Sequence, residues 1–343
     1  MSVTTKEIWK TAGEKINKNK CKVCPVCDGK ACGGLIPGMG GMGSGATFRN
    51  NIEAFAKKNL VMRVLHEASD VNCELTLWGR KLSMPVFAAP IGDIVSQIDG
   101  HLSIPQYTQH LIDGCIKVGT LASIGDLIGC EPFAGAIAEI KGRGKSVIPF
   151  IKTWVRDEFV KKFELVAKAG CDICGTDVDS AGLAGLRNSP TPVNFWTAKE
   201  LSACIKKVKG FGMKYIVKGI MTVEEAKIAV DCGADAVLVS NHGGRVLDYG
   251  QGTAEVLPEI AQAVGKLTIV MVDGGIRSGA DVLKALALGA KATLICRPAA
   301  IAVHGDEQNG ISTYFANIKN ELIHAMRMTG CKNLDEVSGK IIC

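Results

Sequence analysis

Five short stretches of this 343-residue chain hold side chains able to move protons, grip anions or ligate metals. The first is SNHGGRVLD, which supplies Ser240, Asn241, His242, Gly243, Gly244, Arg245 and Asp248. An imidazole exchanges protons near neutral pH, and a guanidinium just past a glycine pair can hold a carboxylate through paired hydrogen bonds. The same spacing also suits a surface loop with a solvated Arg. The second and third stretches are DGGIRSGADV, with Asp273, Gly275 and Arg277, and CRP, with Cys296 and Arg297. Glycine-rich turns leading into helices expose bare amides that favour an anion such as phosphate, and the arginines would add charge-assisted bonds. The fourth is YIVKGI, where Lys218 sits inside an apolar run. An ammonium there is costly unless it meets an anion or lines a polar site.

The fifth is CKVCPVCDGKAC, which places Cys21, Cys24, Cys27 and Cys32 within twelve residues. The pattern is that of a bacterial ferredoxin run with one extra residue, and CPVCDG is half of a zinc knuckle. An iron–sulfur cluster or zinc, redox-reactive thiols, and no special role all stay open. The other ten cysteines are scattered among apolar neighbours, as at Cys171, Cys174, Cys232 and Cys296, and read as reduced, buried thiols.

These stretches need elements to position them. From about residue 84 a rhythm sets in: MPVFAAPI (84–91), TLASIGD (120–126), SVIPFIKTW (146–154), CDICGTDVD (171–179), YIVKGI (215–220), AVLVSN (236–241), TIVMVDGG (268–275) and ATLICRP (292–298). Amphipathic segments with apolar residues three and four apart lie between them, at 156–170, 222–235 and 278–290. Eight such β/α repeats predict a (β/α)8 TIM barrel in the α/β class, with catalytic groups at the C-terminal strand ends. An open doubly wound sheet is the alternative, but no GxGxxG follows the first strand. The expected division is an N-terminal Cys/Gly-rich helical extension, 1–82, with its cysteine segment at 21–32, and a barrel at 83–343. Helices are expected at 5–18, 47–58 and 311–329. GMGGMGSG (38–45) reads as a flexible loop, and 180–198 as a lid on the catalytic rim. His66, His101, His110, His304 and His324 have no partner motifs.

Composition narrows the class. Hydrophobic residues at 47% and charged residues at 22% describe a folded chain with a large core, not a disordered one. Aromatics at 5% argue against a surface that stacks bases, so no nucleic-acid partner is expected. The charge of +6 is spread along the chain. No apolar run reaches membrane-spanning length and no signal-peptide core opens the chain, so a cytoplasmic protein with no membrane partner is expected.

VKGI, SNHGGRVLD, DGGIRSGADVLKALALGA and CRP, in this order and spacing, closely resemble the FMN-dependent α-hydroxy-acid oxidase/dehydrogenase family, which includes glycolate and lactate oxidases. The likeness is strong over 210–340, recognisable over 83–180 through MPVFAAP and TDVDS, and poor before about residue 45. It implies oxidation of a lactate- or glycolate-like or larger 2-hydroxy acid to the 2-oxo acid. His242 would be the base, Arg245 would bind the carboxylate, and Asp179 would favour the protonated imidazole. Lys218 would stabilise the reduced flavin and Ser240 would touch its ring. Asp273 would hold the ribityl chain, and Gly275, Arg277 and Arg297 the phosphate. The Ala89 backbone and Ser123 would flank the ring. Oxygen or a one-electron acceptor would take the electrons, and a homo-oligomer, a homotetramer by resemblance, is implied.

The chain departs from the family in three places. No Tyr precedes the barrel, the first being Tyr107, and strand 3 reads PFIKTW, so Lys152, the substrate-binding candidate, or Trp154 stands where the family has its second active-site Tyr. A second carboxylate-binding Arg has only Arg187 as its candidate. A cluster on the cysteines would carry single electrons away and make the enzyme a dehydrogenase. Two other functions compete: a non-oxidative FMN barrel like isopentenyl diphosphate isomerase, which the likeness disfavours because that family lacks SNHGGR, and a non-catalytic flavin- or metal-binding sensor.

Overall fold

β-Branched, apolar runs covered on both faces make parallel strands, and each of the eight runs does so here. The computed structural model describes residues 3–186 and 192–343. Helices α1 (Thr5–Lys15) and α2 (Ala46–Ala56) come first, then a hairpin of β1 (Leu75–Leu77) and β2 (Arg80–Leu82). The strands β3 (Val86–Ala88), β4 (Ala122–Gly125), β5 (Val147–Lys152), β6 (Ile173–Asp177), β7 (Lys214–Ile220), β8 (Ala236–Val239), β9 (Ile269–Val272) and β10 (Ala292–Ile295) follow. They close a barrel in chain order, with β10 pairing parallel to β3. This closure replaces the open-sheet alternative. The helices Arg156–Lys168, Val223–Asp231, Gly279–Ala287 and Gly310–Thr329 fall where periodicity places them. No helix among the described residues is long and apolar enough to cross a membrane.

Side chains alternate across a strand, and that parity builds the site. Ile148 and Phe150 of β5 point into the barrel with Phe87, Ile216, Leu238, Met271 and Leu294. Ile151, Val217, Val239 and Val272 face the helices instead. The hairpin leucines Leu75, Leu77 and Leu82 join the inner cluster and close its floor. Followed to the C-terminal ends, the inward parity gives Ala89, Ser123, Lys152, Asp177, Lys218, Ser240, Asp273 and Cys296. The barrel is therefore apolar below and polar at its mouth.

GMGGMGSG is a loop, but a packed one. Residues 38–41 are buried, and the Met42 amide donates to the Gly244 carbonyl at 2.7 Å. The loop lies across the barrel mouth because Asp248 anchors its end. The Asp248 carboxylate accepts from the backbone amides of Ser44 (2.6 Å) and Ala46 (3.1 Å), at the start of α2. A carboxylate there satisfies amides that the helix cannot.

Candidate active site

Strand register sets one ionic layer at the mouth. Lys152 pairs in register with Asp177, and Asp177 with Lys218. The Lys218 ammonium, 3% exposed, lies 2.8 Å from Asp177 Oδ1 and 4.0 Å from Asp273 Oδ2. Burial works against its charge, but Asp177, Asp179 and Asp273 outweigh that and hold its pKa above the ordinary lysine value. Burial likewise opposes the Asp177 charge, and Lys218 and His242 still keep that carboxyl below its ordinary value. Asp273 goes the other way: burial raises it and Lys218 only partly offsets this. Asp177 was missed from sequence, although the inward parity of β6 marks it.

The turn after β8 carries His242 in the left-handed region, at φ 56°, where a non-glycine residue is uncommon. Its amide donates to Ser240 Oγ at 3.1 Å, and its Nδ1 lies 3.0 Å from Asp179 Oδ1. The carboxylate therefore fixes the ring and leaves Nε2 as the nitrogen that exchanges a proton. The next two positions must be glycine. At Gly244, φ is 79° and a Cβ would lie 2.5 Å from the Phe48 amide nitrogen of α2. Beneath the turn, Asn51 of α2 and Asn241 exchange side-chain amide bonds of 2.9 Å, and Asn51 Oδ1 also accepts from the Thr253 amide at 3.0 Å. Asn51 carries no sequence signal. Asp177, Asp179 and His242 have the spacing of a metal site. Lys218, ion-paired with Asp177, already supplies the cation.

Three arginines converge on the same rim. Arg245 Nη1 donates to the carbonyls of Gly38 (2.6 Å) and Gly40 (3.0 Å), and its Nη2 to Gln97 Oε1 (2.5 Å). Burial, then the neighbouring Arg297, bring its pKa down to about 10. Arg297 donates to Met39 O, Gly40 O and Gly243 O, with its guanidinium 3.8 Å from the Phe48 ring centre. Arg277 donates through Nε to Cys27 O (2.8 Å) and through Nη1 to Ile276 O (2.8 Å). Gly275 packs against α2, where a Cβ would lie 2.2 Å from Asn51 O. The loop's carbonyls thus occupy donors that the sequence assigns to a carboxylate and a phosphate. An anion competes well for them, because it pairs opposite full charges and can accept two parallel bonds from one guanidinium. Arg187 lies outside the described residues.

On the opposite side, Lys152 Nζ donates to the Asp126 carbonyl, and burial lowers its pKa. Asp126 is a hub unforeseen from sequence. Its carboxylate accepts from the Lys152 amide (3.0 Å), the Trp154 indole and the fully buried Lys162 ammonium (2.7 Å). Ala89 and Ser123 line the mouth, both buried. Ser123 Oγ, Asp179 Oδ2 and Asp273 Oδ1 are buried without a protein partner. An unsatisfied buried polar atom costs about 1–3 kcal/mol, so three around one mouth mark a place shaped for a polar ligand. Together with Lys218 and the arginines beyond β9 and β10, they match the ring edge, hydroxyl chain and phosphate of FMN. The four clustered cysteines are all free, and among the described residues no three of their sulfurs lie within 4.8 Å of one another.

A profile of the FMN-dependent dehydrogenase family matches residues 38–195 and 193–343. The 4-hydroxymandelate oxidase of Amycolatopsis orientalis is 31% identical, over 89% of this chain and 94% of its own. The L-lactate oxidase of Lactobacillus jensenii is 29% identical, over 85% and 76%. A solved mandelate oxidase with (S)-2-phenylpropionate superposes with a TM-score of 0.74 at 26% identity, covering 100% of this chain and 98% of that one. With the barrel, the His–Asp pair and the buried Lys in place, the chain belongs to the FMN-dependent dehydrogenase family.

Proposed function

We propose that this protein oxidises a 2-hydroxy acid to the 2-oxo acid with bound FMN. The supporting observation is the Asp179–His242 pair on the rim of a mouth whose floor holds Lys218. Relatives named for 4-hydroxymandelate and lactate oxidation point to the same substrate class. FMN, when bound, accepts the two electrons that leave the substrate. Ser123, Ser240, Lys218 and Asp273 would hold its ring and side chain, and Gly275, Arg277 and Arg297 its phosphate. His242 Nε2 takes the proton, and Asp179 stabilises the imidazolium that results. Arg245 meets the substrate carboxylate by exchanging a neutral acceptor for a charged one. Lys152, whose Nζ donates to the Asp126 carbonyl, borders the substrate.

Three features of the whole protein belong to the same proposal. The barrel domain begins near residue 83, just before β3. The fourteen free thiols suit a reducing, cytoplasmic setting. The exposed apolar run Met62, Val64 and Leu65 suits burial between copies in a homotetramer. The test is anaerobic addition of a panel of 2-hydroxy acids, from lactate to aryl acids, to the purified flavoprotein. Bleaching of the flavin by at least one is expected, with re-oxidation by oxygen or a one-electron acceptor then read separately. A flavin that keeps its colour with the whole panel would favour the non-oxidative barrel or the sensor.

A further inference from the structure

Two lysines face the barrel mouth, and only one of them has its counter-charge. Lys218 lies 2.8 Å from Asp177, with Asp273 beyond it at 4.0 Å. Lys152, at the end of β5, is in register with the same Asp177 but forms no ion pair among the described residues. Its Nζ donates to the backbone carbonyl of Asp126, a neutral acceptor. The Asp126 carboxylate is not free to serve it. Oδ1 accepts from the Leu127 amide and the Lys162 ammonium, both at 2.7 Å. Oδ2 accepts from the Lys152 amide at 3.0 Å and from the Trp154 indole. Those donors fill the roughly four acceptor sites that a carboxylate offers. Glu158 is drawn to the same Lys162, at 2.8 Å. Burial therefore outweighs Asp126 and Asp177 and lowers the Lys152 pKa, the reverse of what happens at Lys218. An ammonium so placed is costly until an anion meets it.

We propose that Lys152 binds a second carboxylate, on the side chain of the substrate, so that the protein prefers 2-hydroxy diacids to 2-hydroxy monoacids. This rests on the reading of the protein as a 2-hydroxy-acid oxidising enzyme. The other anions of the site have their own partners. The FMN phosphate falls to Arg277 and Arg297, on the turns after β9 and β10, and the first carboxylate of the substrate to Arg245.

The layout keeps the two substrate cations apart. Arg245 follows β8, but its guanidinium is drawn to Gly38, Gly40 and Gln97, and Arg297 at the end of β10 shares the Gly40 carbonyl. It therefore lies on the β10–β3 side of the mouth. Lys152 rises from β5, two strands on from β3, and the Asp126 that holds it follows β4. An acid with its first carboxylate on Arg245 and its hydroxyl carbon at His242 leaves Lys152 for the far end of the molecule. An alkyl or aryl end gives this ammonium nothing, and a hydroxyl only repeats the neutral contact it already has. A carboxylate supplies the missing charge.

The test compares anaerobic flavin reduction by matched acids, malate with 2-hydroxybutyrate and 2-hydroxyglutarate with 2-hydroxyvalerate, each as both enantiomers. The flavoprotein is used as the parent, Lys152→Met and Lys152→Arg, with bound FMN measured first from the visible spectrum. In the parent, at least one diacid should half-saturate at a concentration about tenfold or more below its matched monoacid. Lys152→Met should cut that ratio by about tenfold or more, and Lys152→Arg should keep most of it. General damage to the site would weaken both acids of a pair alike, so the ratio isolates the second carboxylate. Lys152→Gln, which keeps a donor for the Asp126 carbonyl, replaces Lys152→Met if that variant loses its flavin. Equal or better use of the monoacids by the parent, or a diacid advantage intact without the lysine, would overturn the proposal and leave hydroxy-acid oxidation standing. A flavin that no acid reduces would overturn both.

Discussion

Arg245 donates three hydrogen bonds to neutral oxygens, so its part in substrate binding is an exchange of partners. Arg245→Met should raise the acid concentration for half-maximal flavin reduction, by about 2–5 kcal/mol in free energy. An unchanged half-saturation would remove Arg245 from the substrate site. The candidate catalytic groups were mostly legible at this scale. Lys218 in an apolar strand demanded an anion, and Asp177 with Asp273 supply it. His242 read as a candidate from its turn, and the positive φ of Gly243 and Gly244, 65° and 79°, explains why glycines follow it. Asp177 escaped notice because TDVDS holds two aspartates and only the second was matched to the imidazole. Much of what the arginines touch was illegible, since each has an acceptor that is a backbone carbonyl 200 or more positions away.

Among the elements, the eight strands were readable because a strand covered on both faces must be apolar throughout. The helix Arg156–Lys168 shows the limit. Its Phe159, Phe163 and Val166 pack inward, yet Lys162 lies on the same face and is fully buried. It is satisfied there by Asp126 at 2.7 Å, Glu158 at 2.8 Å and the Trp154 ring at 4.2 Å. Lys162→Met keeps the volume but leaves the Asp126 charge without its cation. A loss of about 3–5 kcal/mol in unfolding free energy is expected from urea denaturation. A variant as stable as the parent would show that Asp126 is held well enough by Lys152 and Trp154 alone. The 21–45 segment had no periodicity to read. Its docking follows instead from Asp248 and the Gly244 carbonyl, both far along the chain.

Over the whole molecule, the N-terminal helix and the barrel meet around a buried histidine. His304 is 1% exposed, its Nδ1 lies 2.9 Å from the Ala300 carbonyl, and its ring packs on Tyr107 and His101. Burial brings its pKa down to about 4, with His101 and Lys15 adding and the Ala300 carbonyl and Glu307 opposing. The unfolded chain, at the ordinary value near 6.5, binds this proton more readily. The neutral ring's contribution is therefore complete above pH 6.5 and is lost as pH falls toward 4, by about 3 kcal/mol. Urea midpoints at pH 7 and pH 4.5 should show a smaller acid loss in His304→Leu than in the parent, and equal losses would contradict this. The most direct test of the catalytic centre is the anaerobic rate of flavin reduction by the best 2-hydroxy acid, in the parent and in His242→Gln. Retained FMN with a rate lower by about 10²–10⁴-fold is the predicted result. A yellow variant reduced as fast as the parent would contradict the role of His242 as the base.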